Sequence, residues 1–351
     1  MRQYYPGQTM AENAVRALAF TLMVLMIYGC PDNDESDGLS DSNSIYVINT
    51  DGSGEVLLTD HDFDDRSPQF SPDGSKIAFR SYRDNENGIY TVNPNGSELT
   101  KLIATGGYDF AFSPDGRQIV YSLWSEGIRI VDVEGTEDFM LVPKDSNHYS
   151  IHSPRFSPNG AKVVFVASSY RGNDVIKLIN VDGTGEVQLT DGSDWVLDER
   201  PQFTPDSSRI VFLRSFQGDQ DLYIMDVNGS NQIKLTDVYN CWNFDIFPDG
   251  SRIVLEVKSG QDMDVFVIDV DGSNKVKLTE STANDHSPEF SPDGTKVVFV
   301  SDRDGDMDIY IMNIDGTEKF NVTNNERWDD APRFSPDGKQ IVFESFHEYY
   351  E

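Results

Sequence analysis

The sequence predicts an all-β fold, a seven-bladed propeller of four-stranded antiparallel blades, and three observations predict it. Turns of Pro-Asp-Gly type, built on Pro72, Pro114, Pro158, Pro205, Pro248, Pro292 and Pro336, recur at separations of 42, 44, 47, 43, 44 and 44 residues. A period in the low forties built from short strands marks blades that cannot bury both faces alone. Each interval alternates apolar and polar residues between turn residues and holds no stretch of helical period. The two ends of the chain, finally, are complementary fragments of one repeat.

The repeat is clearest from His286 to Thr323. Ser287 to Phe290 is the first, innermost strand. Ser291-Pro292-Asp293-Gly294 reverses the chain, with Pro where φ near −65° is wanted and Gly where φ must be positive. Lys296 to Ser301 (KVVFVS) is the second strand and Asp308 to Asn313 (DIYIMN) the third. Asp315-Gly316 is the pair favoured in primed two-residue turns, and it leads into a fourth strand, Lys319 to Thr323.

Ser44 to Thr59 matches strands three and four with no first half, and Ala331 to Phe346 matches strands one and two with no second half. Together they make a composite blade that closes the ring and removes exposed sheet edges.

The recurring F-S-P-D-G turn, the following K-[IV]-[VA]-F, the R-D-G-like loop, the [DG]-I-Y-x-[VM]-[ND]-x-[DN]-G-[ST] segment and the closing L-T resemble the WD-like repeat of the TolB-type β-propellers. The resemblance covers Ser44 to Phe346. It implies a propeller scaffold, which in this group serves as a protein-binding module, as an appendage of serine peptidases or as a polysaccharide lyase. The α/β domain that precedes the blades in TolB has no counterpart in the short segment between Cys30 and Ser44, so the resemblance is confined to the propeller.

Residues 1–29 read as a lipoprotein signal peptide. Arg16 precedes an apolar run, Ala17 to Tyr28, too short to span a bilayer, and Ile27-Tyr28-Gly29-Cys30 resembles a lipoprotein cleavage site. Met1 and Met10 are both candidate starts. Cys30 is the expected lipidation site, which leaves Cys241 without a disulfide partner. Residues 30–43 form an acidic flexible tether, 44–346 the propeller and 347–351 a C-terminal tail. The expected location is the bacterial cell envelope, exported and facing the periplasm or the surface, with the membrane met only through the lipid anchor.

A formal net charge of −32 excludes nucleic acid as a partner and favours cationic or metal-rich ones, or a salty habitat. A monomer is expected, with a protein or peptide partner of basic or envelope-associated character.

Strand direction places the stereotyped turns on one face and the variable inter-blade and second-to-third-strand loops on the other, where function on a rigid scaffold usually sits. All four tryptophans, Trp124, Trp195, Trp242 and Trp328, fall on the variable face. They are candidate partner contacts, and wedging between blades is their alternative role. Around the mouth of the central channel the sequence places Asp65, Arg66, Asp109, His152, Asp198, Glu199, Arg200, Asn243, Asp285, His286, Asp329 and Asp330. This ring reads either as solvated salt bridges between blades or as an acceptor for a basic segment or a cation.

Asp302, Asp304, Asp306 and Asp308 alternate as calcium ligands do, although partial echoes at Asp219/Asp221 and Asp262/Asp264 point to a structural role. No other cofactor is expected. The five histidines show no metal-ligand spacing, and the G-x-S-x-G, H-E-x-x-H and phosphate-loop motifs are absent. A non-catalytic protein- or peptide-binding propeller is therefore expected, with a carbohydrate-active enzyme of the lyase type, or a carbohydrate-binding module, as the alternative.

Overall fold

The computed structural model describes residues 42–347 apart from 84, 85, 105, 108, 171, 194 and 237–239. The expected signal peptide, Cys30 and most of the tether lie outside the described residues.

Only strands and turns occur among the described residues, in the order β1 (Ser42–Asn49), β2 (Val56–Leu57), β3 (Asp64–Phe70), β4 (Ile77–Arg83), β5 (Glu86–Val92) and β6 (Thr100–Ile103). Next come β7 (Phe110–Phe112), β8 (Gln118–Leu123), β9 (Gly127–Asp132), β10 (Asp138–Pro143), β11 (His148–Phe156), β12 (Lys162–Ser169), β13 (Asp174–Asn180) and β14 (Val187–Gln188). Then follow β15 (Val196–Phe203), β16 (Arg209–Phe216), β17 (Asp219–Asp226), β18 (Ile233–Lys234), β19 (Cys241–Ile246), β20 (Arg252–Ser259), β21 (Asp262–Asp269) and β22 (Val276–Lys277). The last are β23 (Asp285–Phe290), β24 (Lys296–Ser301), β25 (Asp308–Asn313), β26 (Phe320–Asn321), β27 (Trp328–Phe334) and β28 (Gln340–His347).

Each run of four from β3 to β26 pairs consecutively and antiparallel, and a single parallel bridge, Asp174 to Leu197, touches β13 to β15. The ends of the chain meet in a further sheet of order β2-β1-β28-β27. There β1 is paired along its whole length, from Ser42 opposite His347 to Asn49 opposite Gln340.

Alternation along the strands turns apolar side chains toward both neighbouring sheets, and apolar clusters fill the seams. One seam joins Ile45, Val47, Leu58 and Val342 of the two chain ends to Ile77, Phe79, Tyr90 and Val92 of the β3–β6 sheet. Another joins Tyr46, Ile48, Ile341 and Phe343 to Val298, Val300 and Ile309 of the β23–β26 sheet. The sheet shared by the ends thus has a packed neighbour on each side.

The L-T ending of the repeat has a specific task. Five outer strands, β2, β14, β18, β22 and β26, are only two residues long. In each of these sheets the threonine beyond the outer strand continues the ladder: Oγ1 of Thr59, Thr190, Thr236, Thr279 and Thr323 accepts the N–H of Ile45, Ile176, Leu222, Val265 and Ile309 at 3.0 Å. Thr236, Thr279 and Thr323 donate in turn to buried Asp221, Asp264 and Asp308. Thr279→Val keeps the shape and leaves the buried Val265 N–H without its acceptor, while Asp264 keeps Lys277 at 2.8 Å, so a loss of about 2 kcal/mol is expected from urea unfolding. A change within a few tenths would show that the hydroxyl is not part of the ladder.

The S-P-D-G reversals form as expected: Ser291 N–H donates to the Lys296 carbonyl, Gly294 N–H to the Ser291 carbonyl, and Gly294 sits at φ 69°. The Asp-Gly turns differ from the expected two-residue form. Asn313 N–H donates to the Thr317 carbonyl across three residues, and of these only Gly316 has a positive φ, 82°. Asp315 is instead used as an acceptor, its Oδ1 taking Thr317 N–H and Oγ1–H, so the glycine alone carries the left-handed position.

Candidate binding face

The first strand of most sheets carries a bulge before its proline. Register slips between Arg66 and Gln69, His152 and Arg155, Glu199 and Gln202, His286 and Glu289, and Asp330 and Arg333. Ser67, Ser153, Arg200, Ser287 and Ala331 occupy the left-handed region there, at φ between 52 and 56°. Such positions cost on the order of 1 kcal/mol each and persist only where the surroundings impose them. A carboxylate of the preceding sheet imposes three of them. Ser67 N–H donates to Glu344 at 2.7 Å, Ser153 N–H to Asp109 at 3.1 Å and Ser287 N–H to Glu256 at 3.0 Å.

These contacts bring a circle of charged side chains together at one end of the channel. Arg66 binds Asp64 and lies near Glu344 and Asp330. His286 is 3.8 Å from Asp330, and Arg200 donates to Asn243 at 3.3 Å. His152 shares a hydrogen bond with Ser168 at 3.0 Å and faces Asp174 and Glu199. Burial, then neighbouring carboxylates, hold Glu199 above the ordinary carboxylate range, and burial raises Asp174 and Glu256. Burial and the Asp330 carboxylate push Glu344 up to about 7.

Asp65, Asp198, Asp285 and Asp329, expected in this circle, are instead completely buried. Each is one residue away from a mouth residue and so points to the opposite side of its strand. Asp65 accepts from Arg83 at 2.8 Å, Asp198 from Arg214 at 2.6 and 2.9 Å, and Asp285 from Arg303 at 2.7 Å. Asp329 takes Ser345 and Asn325. The arginines also lie over rings: Arg83 is 4.2 Å above Phe63, Arg214 5.0 Å from Tyr223 and Arg303 4.7 Å from Tyr310. These carboxylates tie the strands of their own sheet together and are not surface groups.

Deeper in the channel lies a second polar ring that the motif reading missed. Gln69, Arg155, Gln202, Asp245, Glu289 and Arg333 line a cavity of about 390 Å³ with Phe70, Phe156, Phe203 and Phe334. Arg333 binds Glu289 at 2.6 Å, while Asp245 and Glu289 accept the backbone N–H of Phe290 and Phe334, each in the next sheet. Burial and the Glu289 carboxylate push Asp245 up to about 7. The signal was present in the repeat, since the residue two before each S-P-D-G-type turn is polar in all these positions and only Ala111 breaks the series.

Trp124, Trp195 and Trp328 are 43, 66 and 55% exposed. Trp124 meets Tyr149 edge-on, Trp195 lies beside Gly172, and Trp328 leans on Phe346 at 6.1 Å. Trp242 is partly buried and its indole N–H is buried with no hydrogen-bond partner. It is the least exposed of the four tryptophans.

Three of the four aspartates that alternate from Asp302 to Asp308 are held by protein donors. Asp302 accepts from Asn284, Asp304 from Tyr310 and Asn321, and Asp308 from Thr323, Asn321 and Asn325. Asp306 is held above its ordinary range by burial and by Asp308. No group of three or more His, Cys, Asp or Glu among the described residues is gathered closely enough to hold a metal ion.

Antiparallel four-stranded sheets packed side by side around a polar channel, with tight turns on one face and variable loops on the other, define a propeller-type protein. The profile described as the TolB beta propeller domain matches residues 36–193, 111–245 and 239–349, and the chain belongs to that family. It is 27% identical over 163 residues to the protein TolB homolog of Chlorobium luteolum, covering 46% of this chain and 36% of that one. It is 25% identical over 188 residues to the Tol-Pal system protein TolB of Francisella tularensis, covering 50% and 42% respectively. The match thus spans less than half of these relatives. Among solved structures, putative TolB from Agrobacterium tumefaciens shares 19% identity at a TM-score of 0.57, covering 88% of this chain and 100% of that one. An oligogalacturonate lyase in complex with manganese shares 18% at 0.70, covering 89% and 99%. At these identities the structural likeness is one of fold.

Proposed function

We propose that the chain is a closed, seven-bladed, non-catalytic propeller, anchored in the bacterial envelope through lipid on Cys30 and a tether of residues 30–43, that binds a protein or peptide on its variable face. Closure is supported by the full-length pairing of β1 with β28 and by the packed seams on both sides of the shared sheet. The relatives named as TolB proteins support an envelope location and a protein partner.

The observation that carries the binding reading is the exposure of Trp124, Trp195 and Trp328 on the face that also holds the charged mouth. Large rings left in water beside convergent polar groups are what interface anchors look like before their partner arrives. The full chain, extracted from detergent-solubilised envelope, should capture a protein partner. The Trp195→Ala/Trp328→Ala variant should lose it with an unchanged melting temperature, each anchor being worth about 2 kcal/mol. A lowered melting temperature with capture intact would make the rings structural. Release of an unsaturated, ultraviolet-absorbing product from a polysaccharide would overturn the non-catalytic reading in favour of a lyase. Cys30→Ser should move the protein from the membrane fraction to the soluble one, and unaltered partition would refute the anchor.

A further inference from the structure

The exposed rings of the variable face are not evenly spread. Trp124, Tyr149, Tyr170 and Trp195 form one row across the β7–β10, β11–β14 and β15–β18 sheets. The Tyr149 ring meets Trp124 edge-on at 5.5 Å and Tyr170 at 5.8 Å. Trp195 lies over Gly172, where an added Cβ would stand 3.2 Å from the indole. Tyr170 and Trp195 are 68 and 66% exposed. Trp195 holds this position with φ at 67°, a conformation unfavourable for a bulky residue, so the outward setting of the indole is imposed by its surroundings.

Carboxylates stand further along the same chain segments, at the mouth beside His152. His152, three residues along β11 from Tyr149, faces Asp174 and Glu199, and these stand two residues beyond Gly172 and four beyond Trp195. At the outer end Lys144 donates to the Trp124 carbonyl at 3.3 Å.

Resting on the binding face proposed above, we infer that this row is a docking strip for an extended cationic segment of a partner protein, whose arginine or lysine side chains lie on the rings with their charge toward Asp174 and Glu199. Ring faces carry negative quadrupole charge and attract guanidinium and ammonium groups, and adjacent carboxylates add to the attraction. The molecule repeatedly uses this arrangement internally: Arg83, Arg214 and Arg303 each sit between an aromatic ring and a buried aspartate. In the strip, Tyr170 and Trp195 supply the rings and Asp174 and Glu199 the carboxylates. A net charge of −32 sets the long-range field against anionic polymers and toward cationic ones.

The test uses the full chain and a fluorescein-labelled peptide of alternating arginine and proline, read by anisotropy. Binding should weaken as salt rises and fall about tenfold in Tyr170→Ala/Trp195→Ala, whose melting temperature should stay at the parent value. Ile233→Ala, on the outer strand β18 and far from the row, should bind as the parent does. Equal affinity in the double variant overturns the inference, as does equal binding of a glutamate-proline peptide or competition by a neutral oligosaccharide. If Tyr170→Ala/Trp195→Ala keeps the peptide while Trp328→Ala alone loses the captured protein, the strip fails and the wider binding face stands.

Discussion

Deleting residues 42–59 is expected to abolish cooperative unfolding rather than shift its midpoint. The segment supplies β1 and β2, and with them Ile45, Tyr46, Val47, Ile48 and Leu58, all buried. Burial of each such side chain is worth about 1.5 to 3 kcal/mol, so the loss approaches the 5 to 15 kcal/mol that stabilises a typical domain. Two seams are opened at once, because Tyr46 and Ile48 pack toward β24 and β25 while Ile45 and Val47 pack toward β4 and β5. The deletion also exposes β28 along its whole length as an unpaired edge, a template for association with another chain. The expected readout is a broad calorimetric transition, or aggregation, where the full chain gives one sharp peak. A truncated chain that melts as sharply as the parent would refute the closed ring.

Much of this organisation is legible in the sequence because its causes are local. Period-two alternation and the proline and glycine of each turn lie within a few residues of the strands they define, and the complementary ends follow from counting strands. The channel was harder to read. Asp65 and Arg66 are adjacent, and only the pleat decides that one meets Arg83 inside the blade while the other meets Asp64 at the mouth. The bulge at Ser67 that aims these groups is stabilised by Glu344, at the far end of the chain. Such a partner has no signature in the local sequence. A partial signal did exist: Asp65 with Arg83 and Asp285 with Arg303 share an 18-residue spacing, which marks a repeated pair and not a free surface group. The role of Asp308 shows the same limit, since it depends on Thr323 across the sheet.

Stability should pass through a maximum near pH 4 and decline on both sides, for opposite reasons. Burial pushes Asp65 and Asp329 up to about 6, and Glu344 and Asp245 up to about 7, while ordinary aspartate and glutamate lie near 4. Between those values the folded chain binds more protons than the unfolded one, so stability falls as pH rises from about 4 to about 7. One such group shifted by two units is worth about 2.7 kcal/mol, and water reaching Glu344 and Asp245 through the channel reduces their share. The four together make pH 5 more stabilising than pH 8 on the order of 5 kcal/mol, or roughly 10 °C in melting temperature. On the acid side the turn aspartates Asp73, Asp115, Asp206, Asp293 and Asp337 act in the other direction. Hydrogen bonds from serine and threonine hold them below the ordinary range, Asp206 down to about 2, so their contribution is complete above about pH 4 and is lost as pH falls toward 2. Differential scanning calorimetry from pH 3 to pH 8 at fixed ionic strength separates the two limbs. Glu344→Gln, which still accepts the Ser67 N–H, should raise the melting temperature at pH 8 and leave it nearly unchanged at pH 5. A melting temperature that climbs steadily from pH 5 to pH 8 would mean that these four carboxylates are paired more strongly than they are desolvated.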